Sequence, residues 1–322
     1  MNFRTSLFTG ILIILTTFSY SQARIGNFNL SAYKFNKLNK ETIKKFTSKK
    51  TTFILPDLYS ESEFNDIISE VWDVTPYQLV MQKDFNVSLI NEEDGIGQFK
   101  NVGISKVKSN GTIINYSFHI LDFHVVNSFR KKVKKGKAAW SSSKIGTIYF
   151  TPDIELRKQA GAFSKDIKGE LINFKLGYLK NLLQFVNNSI KNEISTNLYD
   201  NFVKPELKNL RKTTLYIDKK FLENSYDPFL VSFKKPLKTE KMMKNYTYDY
   251  KVVEYKELEN MILGSQKEDF YYLMYNQINS NKIITIINGK TGDIIYQKHT
   301  LVSYNIKPKD LKQLDKEIRK AK

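Results

Sequence analysis

Four short blocks of this chain recur in the same order, and that constrains its fold more than any other feature. Thr51-Thr52-Phe53-Ile54-Leu55, preceded by Lys49-Lys50, returns as Thr213-Thr214-Leu215-Tyr216-Ile217 behind Arg211-Lys212. Tyr77 to Phe85 returns as Tyr250 to Leu258, Tyr116 to Leu121 as Phe270 to Tyr275, and Lys144 to Ile148 as Lys282 to Ile286. Self-similarity of this kind marks a duplicated unit. The expectation is an α/β (α+β) chain made of two tandem copies of a β-α-β-α-β-β unit with mixed sheets. Each copy should pack its own apolar interior, and a long helix should join them.

The local patterns support that frame. In the first copy Thr52 to Leu55 reads as a strand, and Ser60 followed by Glu63 has capping-box spacing. Phe64, Ile67, Ile68 and Val71 then form one apolar helical stripe. Tyr77, Leu79 and Met81 alternate as a strand, Asp84 to Asn91 suits a short helix, and Glu92-Glu93-Asp94-Gly95 turns the chain. A long β segment from Thr112 to Val126 pairs with Ile145 to Thr151. Leu179, Leu183, Val186, Ile190 and Ile194 predict a helix over Phe174 to Ile194 that joins or covers the two units. In the second copy a strand at Thr214 to Ile217, helical material from Phe221 to Asn245, a strand at Tyr248 to Glu254 and a helix at Tyr255 to Leu263 repeat the order. A meander closes it: Phe270 to Ile278, Lys282 to Ile287, and Asp293 to Tyr304 after the hairpin signal Asn288-Gly289. A final helix starts near Pro308. The expected divisions are a signal peptide at 1–23, a polar, loosely ordered segment at 24–50 with helical character from Glu41, a first unit at 51–165, a connecting helix at 166–210 and a second unit at 211–322.

Arg4, the apolar run Leu7 to Leu15 and the small-residue site Ser21-Gln22-Ala23 have the layout of an export signal. The apolar run breaks at Thr16, Thr17 and Ser19, short of the roughly 20 residues a membrane span needs, so no transmembrane span is expected after cleavage and the protein is expected in the periplasm or outside the cell. There is no cysteine, which excludes a disulfide framework, a thiol nucleophile and a cysteine metal cluster. The formal net charge is +18, yet only six of the 51 basic residues are arginine. A lysine surface offers point charges for diffuse attraction to anionic matter; reading of base sequence leans on the guanidinium fork. Sequence-specific nucleic-acid binding is therefore not expected.

Candidate sites are few. Arg130, Lys131, Lys132, Lys134, Lys135 and Lys137, with Trp140 beyond them, form a basic loop that could dock an acidic partner or phosphate groups. Asp122 and His124 stand two apart on a strand and so share a face, which would suit a metal or an acid–base pair. As the residues stand they read as polar groups on a solvated sheet face. No G-x-S-x-G elbow and no phosphate loop is present, and no cofactor is expected. Tyr246, Tyr248 and Tyr250 share a strand face as the aromatic side of a half-buried sheet.

At the level of element order, β-α-β-α followed by a β meander, the chain resembles the small α/β domains of bacterial envelope proteins, such as the amino-terminal domain of TolB or the core of CsgG-like proteins. In its signal segment and overall wording it is similar to uncharacterised exported proteins of Bacteroidota. These resemblances imply an envelope setting and no catalytic residue, since fold does not imply function. The expectation is an exported, non-catalytic binding or scaffold protein whose partner is an unknown protein or an anionic envelope component. Two alternatives stay open: a hydrolytic or metal-assisted enzyme near Asp122 and His124, and an anion-binding module built on the loop 130–137.

Overall fold

The computed structural model describes residues 23–29, 34–107, 109–129, 140–158, 169–227, 232–265 and 267–322. The expected signal segment, Ala23 excepted, lies outside the described residues. The first copy runs β1 (Ala23–Ile25), β2 (Asn27–Asn29), β3 (Lys34–Asn36), α1 (Lys40–Thr47), β4 (Thr51–Leu55), α2 (Glu61–Val71), β5 (Tyr77–Met81), two 3-10 turns, β6 (Gly95–Val107), β7 (Ile113–Phe129), β8 (Trp140–Phe150) and the short α3 (Ile154–Lys158). The long helix is α4 (Leu176–Lys191). The second copy runs β9 (Phe202–Val203), a 3-10 stretch (Pro205–Arg211), β10 (Leu215–Asp218), α5 (Lys219–Glu223), β11 (Tyr226–Asp227), β12 (Ser232–Phe233), α6 (Thr239–Met243), β13 (Tyr250–Val253), α7 (Tyr255–Leu263), β14 (Tyr271–Ile278), β15 (Asn281–Asn288), β16 (Ile294–Thr300) and α8 (Pro308–Lys320).

Two six-stranded mixed sheets result, in the orders β1-β8-β7-β6-β4-β5 and β9-β16-β15-β14-β10-β13. Strand senses agree as well. β4 lies parallel to β5 and β6 as β10 does to β13 and β14, and every other neighbouring pair is antiparallel. Each copy thus begins with a short strand that closes the far edge of its own meander. The expected duplication of an α/β unit with mixed sheets is the architecture observed.

The strand-by-strand pairing needs correction. The first two repeated blocks fall on true counterparts, β4 with β10 and β5 with β13. The third block sets β7 against β14, but β14 occupies the place of β6 beside the central strand. The fourth sets β8 against β15, whose counterpart is β7. Both are displaced by one strand because β6 does not read as a strand at all. Gly95, Gly97 and Gly103 interrupt it, and a turn was expected at its start. Two of those glycines are imposed by packing: a Cβ on Gly95 would sit 2.8 Å from the Phe46 ring, and one on Gly97 would sit 3.0 Å from Phe123 and 3.1 Å from Phe53. Aromatic rings crowd the centre of this sheet, and the strand beneath them gives up its side chains.

Those rings explain how α2 is held. Ser60 and Glu63 form the expected capping box, and Phe64, Ile67, Ile68 and Val71 are all buried. Just past its end Trp72 stacks on Phe123 and meets Phe53 edge-on, while its indole N–H donates to Thr75 Oγ1 at 2.9 Å. Helix α4 packs between α2 and α7 and is buried on nearly every side, including its amides. Asn187 Oδ1 accepts from the Asp73 and Val74 backbone N–H groups of the first copy. Asn181 donates to the Gly289 carbonyl and accepts from the Tyr272 hydroxyl of the second. A helix buried all round needs its polar groups paired, and here the pairs fasten both copies to it. The main apolar cluster accordingly runs through both copies, from Ala23 to Ala321, with two small satellites beside it, where two separate interiors were expected.

The segment expected to be loosely ordered also differs. Ala23, Arg24 and Ile25 are buried and pair with β8. Ile25 exchanges backbone hydrogen bonds with Thr196, and Arg24 donates to the Tyr149 hydroxyl at 2.9 Å while lying over the rings of Tyr149 and Tyr199. Aromatic faces let a guanidinium be buried on an edge strand, so a polar-looking run becomes structure. Among the described residues no helix is long and apolar enough to cross a membrane.

Candidate functional site

The copies differ most in their central hairpin, and that difference makes a cleft. β7 has 17 residues where its counterpart β15 has eight. Because β8 pairs with β7 only from His119 to Phe129, the outer hairpin, Asn101 to Val107 and Ile113 to Phe118, runs on beyond β8. Across from it stands the β14–β15 turn of the second copy, where Asn279 Oδ1 accepts from Ser117 N at 3.3 Å. Beneath, the seam is fixed by buried polar groups: Thr151 Oγ1 donates to Asn276 Oδ1 at 2.6 Å and accepts from Gln277 N at 2.8 Å, and Asn276 Nδ2 donates to the Tyr149 carbonyl at 2.7 Å.

Between hairpin and turn lies a cleft of about 810 Å³, within the range of small-molecule sites. Asn101, Ser105, Tyr116 and Phe118 form one wall, the last two stacked at 6.3 Å. Tyr226, Tyr304 and residues 277–280 form the other. Arg157, from α3, stands at the join. Its Nε donates to the Pro152 carbonyl at 2.9 Å, and its guanidinium carbon lies 5.0 Å over the Tyr226 ring. Among the described residues no carboxylate forms an ion pair with it. Asp153, four residues before it, accepts instead from the backbone of Leu156 and Glu170. Burial, offset in part by the Tyr275, Tyr226 and Tyr304 hydroxyls, lowers Arg157 from its ordinary value, but a guanidinium stays charged at any physiological pH. His119 lies in the same wall. Burial, then the neighbouring Arg157 charge, pushes its imidazole down to about 4, so it is neutral and donates from Nδ1 to Asn101 Oδ1 at 2.6 Å. The cleft therefore carries one fixed positive charge.

The sequence candidates fall elsewhere. Asp122 and His124 do share a face, but it is not the solvated face expected: they are 6% and 3% exposed, beside a second cavity of about 500 Å³ that residues of the β2–β3 hairpin and of α1 help to line. Asp122 is saturated, by Thr147 Oγ1 at 2.8 Å and by the ammoniums of Lys144 at 2.8 Å and Lys100 at 3.4 Å. Burial pushes its carboxyl up, and the two lysines more than offset this, so it lies below the usual range. His124 is stacked on Trp140, and its Nε2 accepts from the indole N–H at 3.3 Å. Burial, reinforced by Lys100, pushes it down to about 4. Among the described residues no three His, Asp or Glu side chains gather as a metal site. The basic loop Arg130 to Lys137 lies outside the described residues; Trp140, its described neighbour, seats His124 and meets Phe129.

Sequence reasoning passed over Arg157. The available signal was its rarity, one of six arginines in a chain that otherwise writes its cations as lysine. Comparison with known protein families, with curated proteins and with solved structures finds no match for this chain.

Proposed function

We infer that this chain is a non-catalytic binding protein of the cell envelope or the space outside it, and that its ligand lodges between the two copies. The observation that carries the reading is the cleft itself: about 810 Å³, walled by aromatic rings and amides, and formed where an elongated hairpin of one copy faces a short turn of the other. Apolar walls with a few convergent polar groups are what small-molecule sites share. The ion pairs and hydrogen bonds that Asp122 makes to Lys100, Lys144 and Thr147 weigh against an acid–base pair there, and the layout of the first 23 residues supports export.

A blocking substitution tests it. Gly103 lines the cleft, and a Cβ there meets nothing within 4 Å, so Gly103→Trp fills the space without disturbing the sheet. Protein purified from its native source and then denatured should release a small molecule that the Gly103→Trp form does not carry. Equal release from both forms, or none from either, refutes the cleft as the binding site.

A further inference from the structure

We propose that the inter-copy cleft selects organic anions, with the guanidinium of Arg157 taking a carboxylate or phosphate group and the Tyr116–Phe118 wall taking a flat apolar body; this rests on the binding reading above. Three observations converge. Arg157, half-buried, lines the cleft, yet among the described residues no acid pairs with it, although desolvated charges are ordinarily paired. Its direction is fixed: Nε is held by the Pro152 carbonyl and the guanidinium plane rests on Tyr226, which is itself 5.6 Å from Tyr304. A guanidinium anchored in this way keeps its terminal N–H groups for a planar or tetrahedral anion, which it binds by two parallel hydrogen bonds. Finally, no other residue lining the cleft is charged, and the Asp153 carboxylate near Arg157 is engaged by the backbone N–H groups of Leu156 and Glu170. His119 is neutral and the other lining groups are amides, hydroxyls and rings.

The surface as a whole is basic, but lysine-rich exposed charge would attract any anion, with or without a flat body, and would be screened by salt. The cleft differs in offering one oriented fork beside a stacked aromatic pair. A ligand with both features gains from each, whereas inorganic phosphate gains from the fork alone.

The test uses three probes of one shape: 1-naphthyl phosphate, 1-naphthoate and 1-naphthol, titrated calorimetrically into the full chain in 0.15 M salt. The expected result is that one or both anions bind at least tenfold more tightly than naphthol, and the tighter of the two tells phosphate from carboxylate. Arg157→Gln should remove at least tenfold of the anion affinity and change that for naphthol less than twofold. Arg157→Lys, which keeps the charge and loses the fork, should fall between. Tyr116→Ala, on the cleft wall, should weaken all three probes alike and guards against a misfolded Arg157 variant. Naphthol bound as tightly as the anions, or anion affinity unchanged in Arg157→Gln, overturns the anion inference and leaves the cleft reading standing. Binding that Gly103→Trp does not abolish, or no binding of any probe, overturns both.

Discussion

The two copies share strand order and sense but not the way their sheets are covered. In the second, β14 is buried along its whole length and β15 at all but its first residue. In the first, the outer half of β6 alternates between half-buried and exposed positions, and the hairpin it forms with β7 runs on past its neighbours. A strand covered on both faces is mostly apolar and has to pair the few polar side chains it carries, whereas one left open on a face can carry glycine, lysine and asparagine freely. The covered copy gives stability; the open copy supplies a wall for the cleft. The two units share one scaffold and differ in this hairpin.

The sharpest way to test that division is to strand a charge in each copy. Lys282 in β15 is fully buried, and its ammonium reaches Asp310 at 2.5 Å and the Asn305 carbonyl at 3.0 Å. Asp310→Ala should cost about 3–5 kcal/mol, because a buried cation loses its partner. In the first copy Asp122 holds Lys100 and Lys144, but those side chains are 30% and 34% exposed. Water can take over part of the solvation there, so Asp122→Ala should cost about 1–3 kcal/mol. Urea denaturation of both variants gives the ranking, and equal costs would break the distinction.

Acid stability should divide the copies next. His119 and His124 both belong to the first and are held near 4 in the fold against 6.5 when free, while in the second copy burial also lowers His299 from its ordinary value. A depressed folded value means the unfolded chain takes up the proton first. The associated stability is fully present above about pH 6.5 and is lost as pH falls toward 4. Each histidine contributes on the order of 3 kcal/mol across that window. Denaturation midpoints should drop steeply between pH 7 and pH 4.5, and His124→Gln should flatten the slope. A slope unaltered by that change would place the acid sensitivity elsewhere.

The smallest effect separates the body of β6 from its outer half. Gly97→Ala forces a methyl against Phe123 and Phe53 and should cost about 1–3 kcal/mol. Gly103→Ala meets nothing and should be neutral or gain up to about 1 kcal/mol by narrowing the unfolded ensemble. Thermal melts of the two alanine variants decide whether the glycines serve packing, as argued, or only flexibility.

Much of this fold was legible because its elements carry strong local patterns. The capping box of α2, the apolar stripe of α4 and the apolar runs of β14 and β15 all point where the structure goes. What stayed hidden was set by tertiary neighbours. β6 is invisible because the rings that require Gly95 and Gly97 come from Phe46, Phe53 and Phe123, 26 to 49 residues away. Once it is missed, every later strand of the meander is matched one place early. Asp122 and His124 looked solvated because the cover over them comes from the segment around Asn36 to Thr42, itself read as loose. Of the candidate site, the aromatic walls were visible as tyrosines and phenylalanines in strands. The anchoring of Arg157 was not, since its platform, Tyr226, lies 69 residues further on.

The bond between Ile25 and Thr196 has a temporal meaning. As the chain is made or threaded from its front end, β1 is present from the outset, yet the group that locks it arrives 171 residues later. Until then the first sheet has an unlatched edge, and its completion waits on α4 emerging in full. Closing so large a loop is slow; within the first half of the protein the earliest strand is therefore among the last to be secured.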